Sequence, residues 1–168
     1  MVHPLVTQLR FARSEFVRGF EDVPPGDAVR RIGAMNCLSW TVGHLASQEN
    51  FLWVVMPQGR DAAPGLRERV GYGQPASTPA WEEMWNAWRA VTAAADVYLD
   101  SLTPEMLPTH LAYEGKRWWE DIGTTLLRNT YHYWFHLGEA YALREMLGHS
   151  GLPDYVGPMQ SVRYALEG

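Results

Sequence analysis

His132 and His136 stand four residues apart in a segment with helical periodicity. That spacing stacks two side chains on one helix face, with β-carbons about 6 Å apart, so both imidazoles can reach one ion. Both border a stripe made by Leu126, Asn129, Tyr133, Ala140, Leu143 and Leu147, which points them inward. An inward histidine needs a partner for each ring nitrogen. His44, on a face of another segment that also reads as buried, is a candidate third ligand. Three imidazoles would leave coordination positions for water or substrate, as catalytic metal sites do. Glu139 follows His136 by three residues and lies on the same side of the helix. It is a candidate fourth ligand, general base, or acceptor from an imidazole N–H. Gln48 and Asn129 neighbour these residues and are placed to hold a metal-bound water. The plainer alternative is a pair of core-edge histidines hydrogen-bonded to their neighbours.

The remaining candidates read as structural. His3, His110 and His149 fall near a terminus, a loop and a helix end, where solvation or capping is the expected role. Cys37 shares a face with His44 but lies two turns away, about 10 Å along the axis, so a buried thiol is expected. Glu49 falls inside an apolar stripe and should be buried in a hydrogen bond to another helix.

Four helices must position these groups. The first runs from about Pro4 to Phe20, with Leu5, Leu9, Ala12, Phe16 and Phe20 on one face, and ends at Pro24-Pro25-Gly26. Asn36 is a candidate N-cap for the second, which continues to about Met56. Its wheel leaves Ser39, Gly43, Ala46 and Asn50 for the outside. A loop rich in Pro and Gly follows, from residue 57 to about 77, and a loop that long is usually functional or a crossover. The third helix opens at Thr78-Pro79, with Trp81, Trp85, Trp88, Thr92, Ala95 and Leu99 facing inward. A short hairpin turn is expected at Glu114-Gly115-Lys116. The last helix spans about Asp121 to Leu147 and stops at Gly148. The fold expected is therefore all-α, with residues 1–150 in one helical domain and 151–168 as a tail packed along it.

Composition narrows the function classes. A chain of 168 residues is long enough for one sizeable core, and eight Trp and eight Tyr must supply much of it. The net charge is −5 and Lys116 is the sole lysine, so no basic stripe for nucleic acid exists. No apolar run reaches the length of a membrane span, and the first residues show no secretory signal, so a cytoplasmic protein is expected. One cysteine excludes an internal disulfide framework and a Cys-based zinc knuckle.

Trp40-Thr41-Val42-Gly43-His44-Leu45, His132-Tyr133-Trp134-Phe135-His136-Leu137-Gly138-Glu139 and Leu143-Arg144-Glu145-Met146-Leu147-Gly148 follow one another in an order that resembles the DinB/YfiT-like family (DinB superfamily). The resemblance runs from the first helix to Gly148. It implies a four-helix bundle with up-down-down-up topology, which makes the loop between helices two and three a crossover. It implies a metal triad at His44, His132 and His136, holding one divalent ion, usually zinc or nickel, and homodimer formation. Some relatives use low-molecular-weight thiols as cosubstrates. Glu139 stands where many relatives carry glutamine, which changes the charge beside the triad. The function expected is a metal-dependent thiol S-transferase acting on a small electrophilic substrate, with Glu139 and Gln48 as its catalytic side chains. A metal-dependent hydrolase, or a non-catalytic stress-response module binding metal or ligand, is the alternative.

Overall fold

The computed structural model describes residues 2–154, 156–157 and 159–162. Helix α1 (Pro4–Phe20) starts with proline in its first turn, and His3 Nδ1 accepts the Leu5 N–H at 3.2 Å. Leu9, Ala12, Phe16 and Phe20 are buried along it, as their spacing requires. One helical turn, α2 (Pro25–Ala28), follows.

Helix α3 (Leu38–Glu49) begins one residue later than the Asn36 cap suggested. The cap is Cys37, whose sulfur accepts the Trp40 N–H at 3.4 Å and so satisfies a donor that the first turn leaves open. The helical path continues with a wider π-helical pitch over Asn50–Val55 and closes with α4 (Met56–Gln58) at Gly59, whose φ is 64°. The expected outer face of this helix is wrong. Ser39, Gly43, Ala46 and Asn50 are all buried, because the segment expected to be a bare loop folds back over them. That segment carries α5 (Leu66–Val70). Asn50 holds it by donating to Asp61 Oδ1 at 2.6 Å and accepting the Ala62 N–H at 3.1 Å. A side chain at Gly43 would collide with Met84 and press on Val70, so glycine sets how closely α5 and α6 approach α3.

Helix α6 (Trp81–Leu99) starts two residues beyond the expected Thr78-Pro79 cap. The Pro79 carbonyl instead accepts the Ser39 hydroxyl at 2.7 Å. Trp81, Trp85, Thr92, Ala95 and Leu99 are buried with Met84 and Val91, whereas Trp88 is half-buried and donates its indole N–H to the Tyr133 hydroxyl at 2.8 Å.

The all-α expectation needs one correction. Strands β1 (His110–Tyr113) and β2 (Lys116–Asp121) form a two-stranded antiparallel sheet. Tyr113 pairs with Lys116, and the turn residues Glu114 and Gly115 have φ of 50° and 73°. Two left-handed residues in succession give the turn whose twist matches that of the strands. The fold is thus mostly helical with a small sheet.

Asp121 ends the hairpin and caps α7 (Ile122–Met146), accepting the Thr124 N–H at 2.6 Å. Gly148, with φ 89°, closes it, and the His149 N–H returns to the Arg144 carbonyl. Helix α1 packs on α7, and α3 packs on both α6 and α7. In the described part of the tail, Gly157 donates to Glu15 at 2.6 Å and Arg18 to the Asp154 carbonyl at 2.7 Å. Residues 155, 158 and 163–168 of that segment lie outside the described residues. No helix among the described residues is long and apolar enough to cross a membrane.

Candidate metal centre

The packing of α3 on α7 brings His44 to His132 and His136. His44 Nε2 lies 3.2 Å from His132 Nε2, which lies 2.9 Å from His136 Nε2. One nitrogen from each of the three falls within 4.8 Å of the others. Among the described residues this is the group of three that could hold a metal ion.

The outer ring nitrogens explain which atoms face inward. His44 Nδ1 is 2.9 Å from the Val70 carbonyl, an acceptor, so it carries the hydrogen. His136 Nδ1 is 2.7 Å from Glu139 Oε2 and donates to that carboxylate. Both Nε2 atoms therefore direct a lone pair at His132 Nε2. A single hydrogen on His132 Nε2 can satisfy one of them, and its other nitrogen, Nδ1, is buried with no partner among the described residues. One cation among the three nitrogens satisfies all of them. A tetrahedral ion with Zn–N bonds of about 2.0–2.1 Å separates its ligand nitrogens by about 3.3 Å, close to the observed spacings. The residues fit the group.

Burial keeps the imidazoles neutral and so available as ligands. It lowers the pKa of His44, with the Val70 hydrogen bond working partly against it. His132 is lowered to about 3 by burial, then by His44 and Arg128. His136 is lowered to about 3 by burial, then by its two histidine neighbours. The Trp40 indole stacks on the His44 ring, centroids 4.5 Å apart and planes 13° from parallel.

The two other site residues named from sequence fall on different sides of the triad. Gln48 lines, together with His132, two adjoining clefts of about 260 and 450 Å³ that also share Glu120 and Arg128. Its Oε1 accepts from Asn129 Nδ2 at 3.3 Å, and Asn129 Oδ1 accepts the Trp53 indole N–H at 2.7 Å. Asn129 thus anchors Gln48. Glu139 sits on the outer edge of the His136 ring and borders a separate cavity of about 180 Å³ with Asn36 and Thr41. Burial raises its carboxyl pKa.

Other candidates take the structural roles expected of them. His149 Nε2 is 3.1 Å from Asp27 Oδ2, and His110 Nδ1 donates to the Trp118 carbonyl at 3.0 Å. Glu49 is buried against Arg13, whose Nε donates to it at 2.9 Å. Sequence reasoning missed the Val70 carbonyl, because a backbone acceptor leaves no mark in residue type. It also missed Trp40, although its place four residues before His44 could have shown it.

The sequence profile of the DinB superfamily matches residues 8–140, which spans all three histidines. Comparison with curated proteins finds no match.

Proposed function

The chain belongs to the DinB superfamily, and on that footing we propose that it binds one divalent metal ion through His44, His132 and His136 and transfers a small thiol to an electrophile. The observation that carries this reading is the convergence of three neutral imidazoles, two of which line a cleft. Zinc or nickel is the ion proposed, since imidazole suits both. In the same reading, α1, α3 with its continuation, α6 and α7 form an up-down-down-up four-helix bundle, and two copies associate.

When bound, the ion would act as a Lewis acid that lowers the pKa of a thiol placed against it. This chain's residues supply the rest. The Val70 carbonyl and Glu139 hold the rings of His44 and His136 by their outer N–H groups, which fixes where the lone pairs meet. Glu139 is thus a positioning residue. Gln48, held by Asn129, presents the rest of its amide to a ligand in the cleft. Three neutral ligands leave the ion's charge uncompensated, which favours an anionic sulfur. His44 and His132 both border the smaller cleft, which supports an open, catalytic position over a site closed by protein.

Metal-loaded protein incubated with a panel of thiols and monochlorobimane tests the proposal. We expect thiol-dependent turnover that disappears in His132→Ala. Turnover equal in the two proteins would overturn it.

A further inference from the structure

Helix α7 carries an uncovered apolar row beside the triad. Leu127, Tyr131 and Phe135 follow one another at steps of four, so their side chains line up along one face. They are 38, 63 and 61 % exposed, whereas large apolar residues on a surface are ordinarily scattered singly. The neighbouring row on the same helix is Thr124, Arg128 and His132. Both rows line the larger cleft, of about 450 Å³. Phe135 also meets the His136 ring edge-on, with centroids 5.1 Å apart and planes at 80°. The apolar row therefore runs up to two of the three histidines.

Charge and size narrow the occupant. The charged side chains lining this cleft, Arg128 and Glu120, are bound to each other, with Arg128 Nε and Nη2 both 2.5 Å from Glu120 Oε1. The guanidinium also lies over the Trp119 ring at 4.8 Å. A charged ligand would give up water here and find no free counter-ion. A flat uncharged body would cover the row and gain from burying it. The volume falls in the range of about 300–1,000 Å³ that small-molecule sites have. The row by itself exposes on the order of 350 Å², under half of the about 800 Å² that each partner of a stable protein interface buries, which favours a small molecule over a second copy.

We propose that the larger cleft binds a small ligand with a flat, uncharged apolar body laid along Leu127, Tyr131 and Phe135. Under the transferase reading this ligand is the electrophile, and the smaller cleft, which His44 and His132 border, is left for the thiol. For monochlorobimane, the thiol sulfur bonds to the chloromethyl carbon, chloride leaves with the bonding pair, and the thiol proton passes to solvent. That assignment rests on the transferase reading; the apolar site does not.

The test titrates zinc-supplemented protein with 1-naphthalenemethanol, 1-naphthoate and 1-naphthylmethylammonium, followed by backbone amide NMR. The alcohol should shift signals of residues 124–135 and bind at least about fivefold tighter than either ion. Tyr131→Ser and Phe135→Ser should each weaken it about tenfold, whereas Tyr131→Phe, which keeps the ring, should bind as the wild type does. Met146→Ser, at an exposed apolar residue of the same helix that does not line the cleft, should leave the affinity unchanged. In turnover, Tyr131→Ser should raise KM for monochlorobimane about tenfold more than KM for iodoacetamide, which has no flat body. Shifts centred elsewhere, equal binding of the three probes, or an affinity untouched by both serine variants overturns the proposal. So does a dimer in sedimentation that Tyr131→Ser dissociates while the alcohol fails to bind. Alcohol binding at the row without turnover of any electrophile would refute the transferase reading and leave the apolar site standing.

Discussion

Helix α3 carries two buried polar clusters one turn and a half apart, and they are built on opposite principles. At Glu49 the charges are matched. Arg13 meets Glu49 through Nε and Nη2 and reaches Asp96 at 2.7 Å, so α1, α3 and α6 are joined by donors facing acceptors. At His44 the groups are alike. Three Nε2 atoms converge, two of them with lone pairs set by acceptors behind the ring. A saturated cluster needs nothing further and serves the fold. A convergent one with unmet lone pairs is complete when a cation is added.

The largest expected effect comes from unbalancing the saturated cluster. Glu49→Ala leaves the Arg13 guanidinium buried and partly unpaired, which should cost about 3–5 kcal/mol in urea unfolding. A loss under about 1 kcal/mol would show that the two clusters do not differ as described. On the other side, His132→Ala should lower cobalt or zinc affinity by more than about 100-fold in isothermal titration, beyond what loss of an outer partner does. The metal-free variant should remain folded, because no charge is left unpaired.

Adding metal should sharpen the contrast further. Zinc at 100 times its dissociation constant should stabilise the wild-type chain by about 2.7 kcal/mol and leave His132→Ala unmoved. Glu139→Gln keeps the shape but weakens the acceptor behind His136. We expect a loss of about 10-fold in metal affinity, read by competition with a chelator.

A further effect is in pH, where it is read as a slope. His132 and His136 have folded pKa values lowered to about 3, below the ordinary value near 6.5. Between those limits the unfolded chain binds more protons, so their contribution to metal-free stability is full above about pH 6.5 and lost as pH falls toward 3. His132→Phe should make the dependence of unfolding free energy on pH shallower in that window. A slope unchanged by the substitution would mean that the ring is already protonated in the folded state.

Much of this contrast was legible in the residues. The four-residue spacing placed His132 and His136 on one face, and the apolar stripe around Glu49 marked it as buried, because helical periodicity depends only on local geometry. The hairpin turn was legible for the same reason, since Glu114-Gly115 can supply two left-handed residues. The second helix was misread where its neighbours decide. Ser39, Gly43, Ala46 and Asn50 look like a solvent face, yet α5 and α6 cover them.

The sequence by itself therefore determined which histidines are candidate ligands and the pairing of two of them. It also contained the helices that carry them, through patterns that repeat within a few residues. Only the tertiary structure decided that His44 meets that pair and that the Val70 carbonyl orients its ring. It alone set Gln48 and Glu139 on separate sides of the triad. Each of these joins residues distant along the chain, or a backbone atom without a side-chain signature. Such contacts exist only once the helices have packed.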